Sequence, residues 1–337
     1  MKSIYVAHTG GTIGMKQDAQ GWSPAPGYLQ EQMNALAAMR SPQMPHYTVD
    51  EFDPLLDSSN MTPREWVRIA QAIARNYDQY DGFVVLHGTD TMSYTASALA
   101  FMLENLGKPV ILTGSQVPLC RPRNDAYENL ITSLLLAANF DVPEVTLFFN
   151  NALFRGCRSV KANSSAFTAF ASPNCAPLAT AGVEIHLNSH LIRFPEERSS
   201  ALCVQETMDP HMGVLWLFPG MTSEFVANCL RPPLKGVVLK AFGTGNGPAK
   251  DEAFLAVLRD AAASGVVMVA CTQSLAGNVD LHRYATGEAL AAAGVIGGGD
   301  MTTEAALTKL SYLFGQGLSP ASVKARMTEN LRGELTV

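Results

Sequence analysis

The chain has 337 residues, enough for two or three domains that each bury a core. Apolar residues make up 47% and charged residues 16%, a balance that excludes an intrinsically disordered chain. The net charge of −6 carries no basic block, which excludes nucleic acid and anionic membrane as partners, because both require clustered positive charge.

The N-terminal run from Met1 to His8 is too short for a signal-peptide core, and no apolar stretch approaches the ~18 residues of a membrane span. A cytoplasmic location is therefore expected. The six cysteines are widely spaced without a C-x-x-C pair, so they read as reduced thiols and not as a disulfide frame or zinc site. Short β-branched runs alternate with longer amphipathic stretches, the pattern of an α/β fold with a largely parallel sheet. Residues 4–7, 83–86, 110–112, 145–149, 214–217, 237–240 and 266–270 predict buried strands. The first leads into Thr9, Gly10, Gly11, Thr12, Ile13 and Gly14. Two glycines at a strand's carboxyl end let the backbone turn tightly and approach a ligand, and open parallel sheets bind ligands at that end. A dinucleotide loop would continue into a helix, whereas residues 15–26 are polar and carry Gly21, Pro24 and Pro26, which predicts a long mobile loop. Taken alone, the segment is equally a structural turn.

Asp57, Ser58 and Ser59 precede Thr62, Pro63, Arg64 and Glu65, which spell an N-cap, a first-position proline and a capping-box glutamate. Small polar side chains at such an entrance either hold an anionic group or only cap the helix. His87, Gly88, Thr89, Asp90, Thr91 and Met92 follow the second predicted strand and open a helical stretch over 93–106. A hydroxyl and a carboxylate there sit among free backbone N–H groups, able to support an oxyanion or simply to cap. His87 itself reads as the end of its strand. Lys161 is locally indistinguishable from a solvated surface charge. His186 and His190 are four apart, but residues 183–192 alternate like a strand and nothing completes a metal set. A polar stretch including Arg193 to Ser200 predicts a linker, 191–211, between an N-terminal domain, 1–190, and a smaller C-terminal domain, 212–337. Helices over 303–314 and 319–330 close the chain.

Together these segments are specific where each alone is not. T-G-G-T-I-G near the start, D-S-S-x-M at 57–61, H-G-T-D-T-M at 87–92, T-G-S-Q at 113–116 and Lys161 resemble the bacterial asparaginase family over nearly the whole chain. The segments 171–174, 284–287 and 330–336 resemble its cytoplasmic type I branch. The resemblance implies a two-domain asparaginase-like fold, with a larger flavodoxin-like N-terminal domain and a smaller C-terminal α/β domain. It implies hydrolysis of the side-chain amide of free L-asparagine to L-aspartate and ammonia through an acyl-threonine, with no cofactor and no metal. Thr12 matches the family's nucleophile in the loop after the first strand. Thr89, Asp90 and Lys161 match a second set, in which the lysine and aspartate orient and activate the threonine. Asp57, Ser58 and Ser59 match the segment that holds the substrate's α-carboxylate and α-amino group, and Asp90 also meets the amino group. The active form implied is a homodimer or homotetramer, with sites where one subunit's N-terminal domain meets its neighbour's C-terminal domain.

An amide carbonyl resists attack, so a positioned hydroxyl, a base and an oxyanion site are all required, and the matched residues can supply the first two. A lysine acts as base only if burial lowers its pKa well below ~10.4, while an adjacent aspartate raises it. Two places depart from the family. Trp22 stands where a loop tyrosine is usual; its indole donates a hydrogen bond but cannot accept one, and Tyr28 is the nearest phenol. Lys240, Asn246, Thr272, Gln273 and Ser274 match a regulatory asparagine pocket of some cytoplasmic members, where an arginine and a cysteine are typical. Lysine lacks the planar fork that grips a carboxylate in two bonds, so this pocket is expected not to regulate. Two rival readings are a tRNA-dependent amidotransferase subunit, for whose extra N-terminal domain Thr12 leaves no room, and an amino-acid sensor. A sensor has no need of Thr12, Thr89, Asp90 and Lys161 together.

Overall fold

The computed structural model describes residues 1–19, 21–195 and 201–336. Two compact units divide the chain, Met1–Glu206 and a second beginning at Thr207. Of the predicted linker, residues 196–200 lie outside the described residues. Beyond them Cys203–Val204 pairs antiparallel with Leu103–Glu104 of the first unit.

In the first unit, β1 (Ser3–Gly10), β2 (His46–Leu56), β3 (Gly82–Leu86), β4 (Val110–Thr113) and β5 (Val145–Phe149) run parallel in the order β2-β1-β3-β4-β5. Beyond β5, the strands β6 (Ala152–Arg155), β7 (Ala179–Ala181) and β8 (Ile185–Leu187) continue the sheet antiparallel. This is the expected flavodoxin-like parallel order, and its direction reverses between β1 and β3. At such a switch point the connections leave toward opposite faces and open a crevice at the carboxyl ends of the strands. Every residue of β3, β4 and β5 is buried, as covering both faces of a parallel sheet demands. Ile4, Val6, Val84, Leu86 and Ile111 share one core with Leu130 and Leu134 of the helix Ala126–Asn139. Each such side chain contributes about 1.5–3 kcal/mol by leaving water.

The differences from expectation have local causes. The edge strand β2 carries Asp50, Glu51, Asp53 and Pro54, so it lacks the apolar run that marks a central strand. Within residues 15–26, expected as a long mobile loop, Met15–Asp18 pairs antiparallel with Gly21–Pro24, Gln17 opposite Trp22. The helix predicted over 93–106 runs Met92–Met102, because Leu103–Glu104 turns into strand pairing. The capping box before the helix Pro63–Asn76 forms as predicted: Glu65 Oε2 accepts from the Thr62 amide at 2.9 Å, and Thr62 Oγ1 from the Arg64 amide at 3.3 Å.

The second unit is a smaller parallel sheet, ordered β9 (Met212–Trp216), β10 (Gly236–Ala241), β11 (Val267–Thr272) and β12 (Val295–Gly297). Leu215, Val237, Leu239, Met268 and Ala270 pack on one face with Phe254 and Leu258 of the helix Glu252–Ala263. The helix Thr303–Gly315 packs against β9, β10 and β11. The helix Pro320–Met327 follows, capped by Ser319. The chain end then returns to Thr303–Gly315 through an ion pair with no solvent exposure, Lys309 Nζ to Glu334 Oε1 at 2.6 Å. Glu334 also accepts from the Leu331 and Arg332 amides at 3.0 and 2.6 Å. Burial pushes its carboxyl up, but the Lys309 charge and these amides outweigh burial and hold it below the usual carboxylate range. Removing one member of such a pair strands the other without a counter-charge. Lys309→Met should therefore destabilise the chain by about 3–5 kcal/mol, and adding Glu334→Leu should recover much of that loss, as read from denaturant midpoints.

Candidate active site

Three loops converge at the carboxyl ends of β2, β1 and β3, and they meet through glycines. Gly10 and Gly11 have φ of +124° and +84°, backbone that L side chains rarely adopt. A Cβ at Gly10 would stand 2.1 Å from the Leu56 carbonyl oxygen, one at Gly11 2.4 Å from the Gly88 nitrogen, and one at Gly88 2.5 Å from Ser58 Oγ. The Gly11 amide donates to the Leu56 carbonyl at 3.1 Å, and Thr9 Oγ1 donates to that of Leu86 at 2.9 Å. Backbone contact of this kind fixes the Thr12 turn, the Asp57–Ser58 entrance and the Gly88–Thr89 loop against one another.

They surround a cavity of about 210 Å³ lined by Thr12, Asp57, Ser58, Thr89, Asp90 and Lys161, together with Gly11, Met15, Gly88, Gln116 and Ser164. Lys161 reaches it from the short strand pair Val160–Lys161 and Phe170–Ala171, whose Phe170 packs on Phe149 of β5 with ring centroids 5.0 Å apart. Its Nζ donates to Thr89 Oγ1 at 2.8 Å and to Asp90 Oδ1 at 2.6 Å. Thr89 is buried and donates onward to Gln116 Oε1 at 3.2 Å. Lys161, more than 70 residues from Thr89 and Asp90 in the chain, thus joins one hydrogen-bonded row of carboxylate, ammonium, hydroxyl and amide. Ser59 is the exception among the expected site residues. It does not line the cavity; its amide donates to Asp57 Oδ1 at 2.9 Å, so it belongs to the cap of the turn Ser58–Asn60.

Sequence reasoning assigned no role to Gln116, Ser164 or Asp125. Asp125, almost fully buried, accepts from the Gln116 amide at 2.9 Å and the Val117 amide at 3.0 Å, which pins the Gln116 loop. Gln116 lies in the T-G-S-Q motif, so position there was its only signal; an acid nine residues on and a serine in a loop carry none. Trp22 and Tyr28 do not line the cavity either. The Trp22 ring lies under the Arg121 guanidinium at 5.7 Å, and the Tyr28 ring under the Lys16 ammonium at 5.5 Å.

His87, completely buried, directly follows β3 and precedes Gly88 and Thr89. Its Nδ1 meets the Gly88 carbonyl at 2.7 Å, so the proton sits there. Its Nε2 then accepts from Thr95 Oγ1 at 2.9 Å, and Thr95 in turn accepts from Trp66 Nε1 at 3.0 Å. This chain holds one neutral tautomer and with it the Gly88 peptide.

In the second unit, Lys240, Thr272, Gln273 and Ser274 share one network at the carboxyl ends of β10 and β11. The Lys240 ammonium donates to the Thr272 carbonyl and lies 5.4 Å from the Trp216 ring centroid; burial lowers its pKa. Gln273 Nε2 donates to the Leu217 and Lys240 carbonyls at 2.6 and 2.7 Å, and the Ser274 amide to Thr272 Oγ1 at 3.1 Å. Asn246 is bonded elsewhere, accepting from Thr286 Oγ1 at 2.6 Å.

A flavodoxin-like unit with paired threonines at its switch point, followed by a smaller parallel unit, defines a class. The family model described as Asparaginase, N-terminal matches residues 3–193, and that described as Glutaminase/Asparaginase C-terminal domain matches residues 211–327. The chain belongs to the asparaginase family. It is 51% identical to L-asparaginase 1 of Escherichia coli strain K12 over 336 residues, covering 99% of this chain and 98% of that protein. The crystal structure of L-asparaginase I from Vibrio cholerae superimposes with a TM-score of 0.93 at 50% identity, covering 100% of this chain and 99% of that one. The thermostable L-asparaginase from Thermococcus kodakarensis gives 0.89 at 32% identity, with 99% of each chain covered.

Burial lowers the His87 pKa to about 4, against the opposing pull of the Gly88 carbonyl. The unfolded imidazole takes its proton near ~6.5 and the folded one does not, so stability falls as pH drops between these values. The loss should reach about 3 kcal/mol from this residue. Denaturant midpoints against pH, with the His87 Cε1–H shift followed by NMR, check it; a ring that titrates above pH ~6 in the folded protein contradicts the depressed pKa.

Proposed function

We propose that this chain is a cytoplasmic L-asparaginase that hydrolyses the side-chain amide of free L-asparagine to L-aspartate and ammonia, with Thr12 as nucleophile. The observation that carries the reading is Lys161 Nζ bonded to both Thr89 and Asp90 at a polar cavity that Thr12 also lines. The α-amino and α-carboxylate groups of the substrate meet Asp57, Ser58 and Asp90, which leaves the side-chain amide facing the two threonines. Thr12 Oγ1 forms a bond to the amide carbon, the C–N bond breaks, and the nitrogen leaves as ammonia with the hydroxyl proton. Water then cleaves the acyl-threonine and restores the hydroxyl. Thr89, held by Lys161, supplies the second hydroxyl through which protons pass, and Asp90 keeps the lysine in place. The Thr12–Gly14 turn and the Thr89 loop offer backbone N–H groups near the developing oxyanion. The active form is a homodimer or homotetramer, in keeping with the family.

Ammonia release by the purified protein, measured with L-asparagine and separately with L-glutamine, tests the reading; release from neither refutes it. Thr12→Ala should lower kcat by at least ~10³-fold while circular dichroism stays unchanged. A loss within tenfold, at most ~1.4 kcal/mol of barrier, would show that Thr12 is not the nucleophile. In the same assay Lys161→Arg should stay inactive, because a guanidinium cannot take a proton at working pH.

The Lys240 ammonium, already committed to the Thr272 carbonyl, is a poor grip for a second asparagine carboxylate. Rate should therefore rise hyperbolically with asparagine, since cooperativity requires a ligand that favours one state over another. A Hill coefficient clearly above one contradicts this.

A further inference from the structure

One pair outside the cavity touches both roots of the hairpin that follows Thr12. His8 lies on β1 with no solvent exposure, and Glu51 lies beside it on β2, its side chain 26% exposed. His8 Nδ1 is 3.3 Å from Glu51 Oε2. The Glu51 carboxylate also accepts from the Gly27 amide, at 2.9 Å through Oε1 and 3.1 Å through Oε2. Gly27 has φ of +73°, caps the helix Tyr28–Ala35 and closes the segment that leaves the hairpin at Pro24. The hairpin's other root is Gly14, the last residue of the Thr12–Gly14 turn. A Cβ there would lie 2.9 Å from both Cε1 and Nε2 of His8 and 3.3 Å from Leu29 Cβ, so the imidazole is the floor on which the turn rests. His8 Nε2 is buried and has no hydrogen-bond partner among the described residues. Glu51 can therefore hold the ring only through Nδ1, and an ionised carboxylate, having no proton, requires that Nδ1 be the donor. Burial lowers the His8 pKa against the pull of Glu51.

We infer that His8 and Glu51 form a two-armed clamp that holds Gly14 and Gly27 together and thereby sets the position of Thr12 against Thr89 and Lys161. Both are positioning residues: they act through the turn and touch neither the cavity nor its contents. A nucleophile displaced by even ~1 Å loses up to ~10²-fold in rate, while the groups that hold the substrate's ends stand on other loops. Loss of the clamp therefore appears in kcat and not in KM. The kinetic half of this inference rests on the amide-hydrolysis reading; the structural half does not.

Three variants test it, by hydrogen exchange of the strands Met15–Asp18 and Gly21–Pro24 and by kcat and KM for asparagine. Glu51→Ala removes both arms and, on a partly exposed edge position, leaves the core intact. His8→Phe keeps the floor but cuts the arm to Glu51. Glu51→Gln keeps both arms, its oxygen accepting from Gly27 and its amide donating to His8 in the other tautomer. Glu51→Ala and His8→Phe should speed hairpin exchange about tenfold and lower kcat about tenfold or more, with KM within about twofold. Glu51→Gln should stay near the parent in both readouts. Unchanged hairpin exchange in Glu51→Ala overturns the clamp, and faster exchange with kcat unaltered overturns its hold on Thr12. If His8→Phe does not fold, Glu51→Ala alone decides. If the parent releases no ammonia, the functional reading falls while the exchange data still decide the clamp.

Discussion

Between Gly11 and Gly88 two backbones approach so closely that no side chain fits, and the organisation of the site depends on that approach. A Cβ at either residue would fall within 2.4–2.5 Å of its neighbour, Gly88 on one side and Ser58 on the other. Loops after β1, β2 and β3 are thereby stacked in contact and cannot drift independently. Packing at this distance costs conformational entropy, because glycine has most to lose on folding. The cost falls where a parallel sheet already leaves a crevice, at the switch point between β1 and β3.

Around that contact the first unit places its polar groups so that each supports a loop. His87 holds the Gly88 peptide through a buried row from Trp66 and Thr95. Asp125 holds the Gln116 loop through two amides, and Glu51 holds Gly27. None of these acids or imidazoles needs to react; each pairs a backbone donor or acceptor of a loop, and His87 does so for a carbonyl that is buried. Groups that line the cavity are thus held by a second layer of hydrogen bonds, which is what positions a hydroxyl to the fraction of an ångström that acyl transfer demands.

The chain itself determined the parallel strands, because β3, β4 and β5 are nearly continuous apolar runs that only a doubly covered sheet can bury. It also determined the helix after Thr62, whose cap, proline and glutamate are local chemistry, and the glycines at 10 and 11 that mark a tight turn. Thr12, Thr89, Asp90, Lys161, Asp57 and Ser58 were legible as a set because the family resemblance joined segments that no local rule connects. Tertiary structure alone decided the rest. The edge strand β2 is charged and carries a proline, so its pairing follows from its neighbour β1 and not from its own pattern. Met15–Asp18 and Gly21–Pro24 became paired strands because the pairing satisfies their backbone, although their composition reads as loop. That the Ser59 amide bonds Asp57 in the cap of its own turn also emerges only in the fold. Gln116, Asp125, His8 and Glu51 acquire their roles only from distances across the fold, since hydrogen bonds between residues 8 to 43 positions apart leave no periodic trace in a sequence.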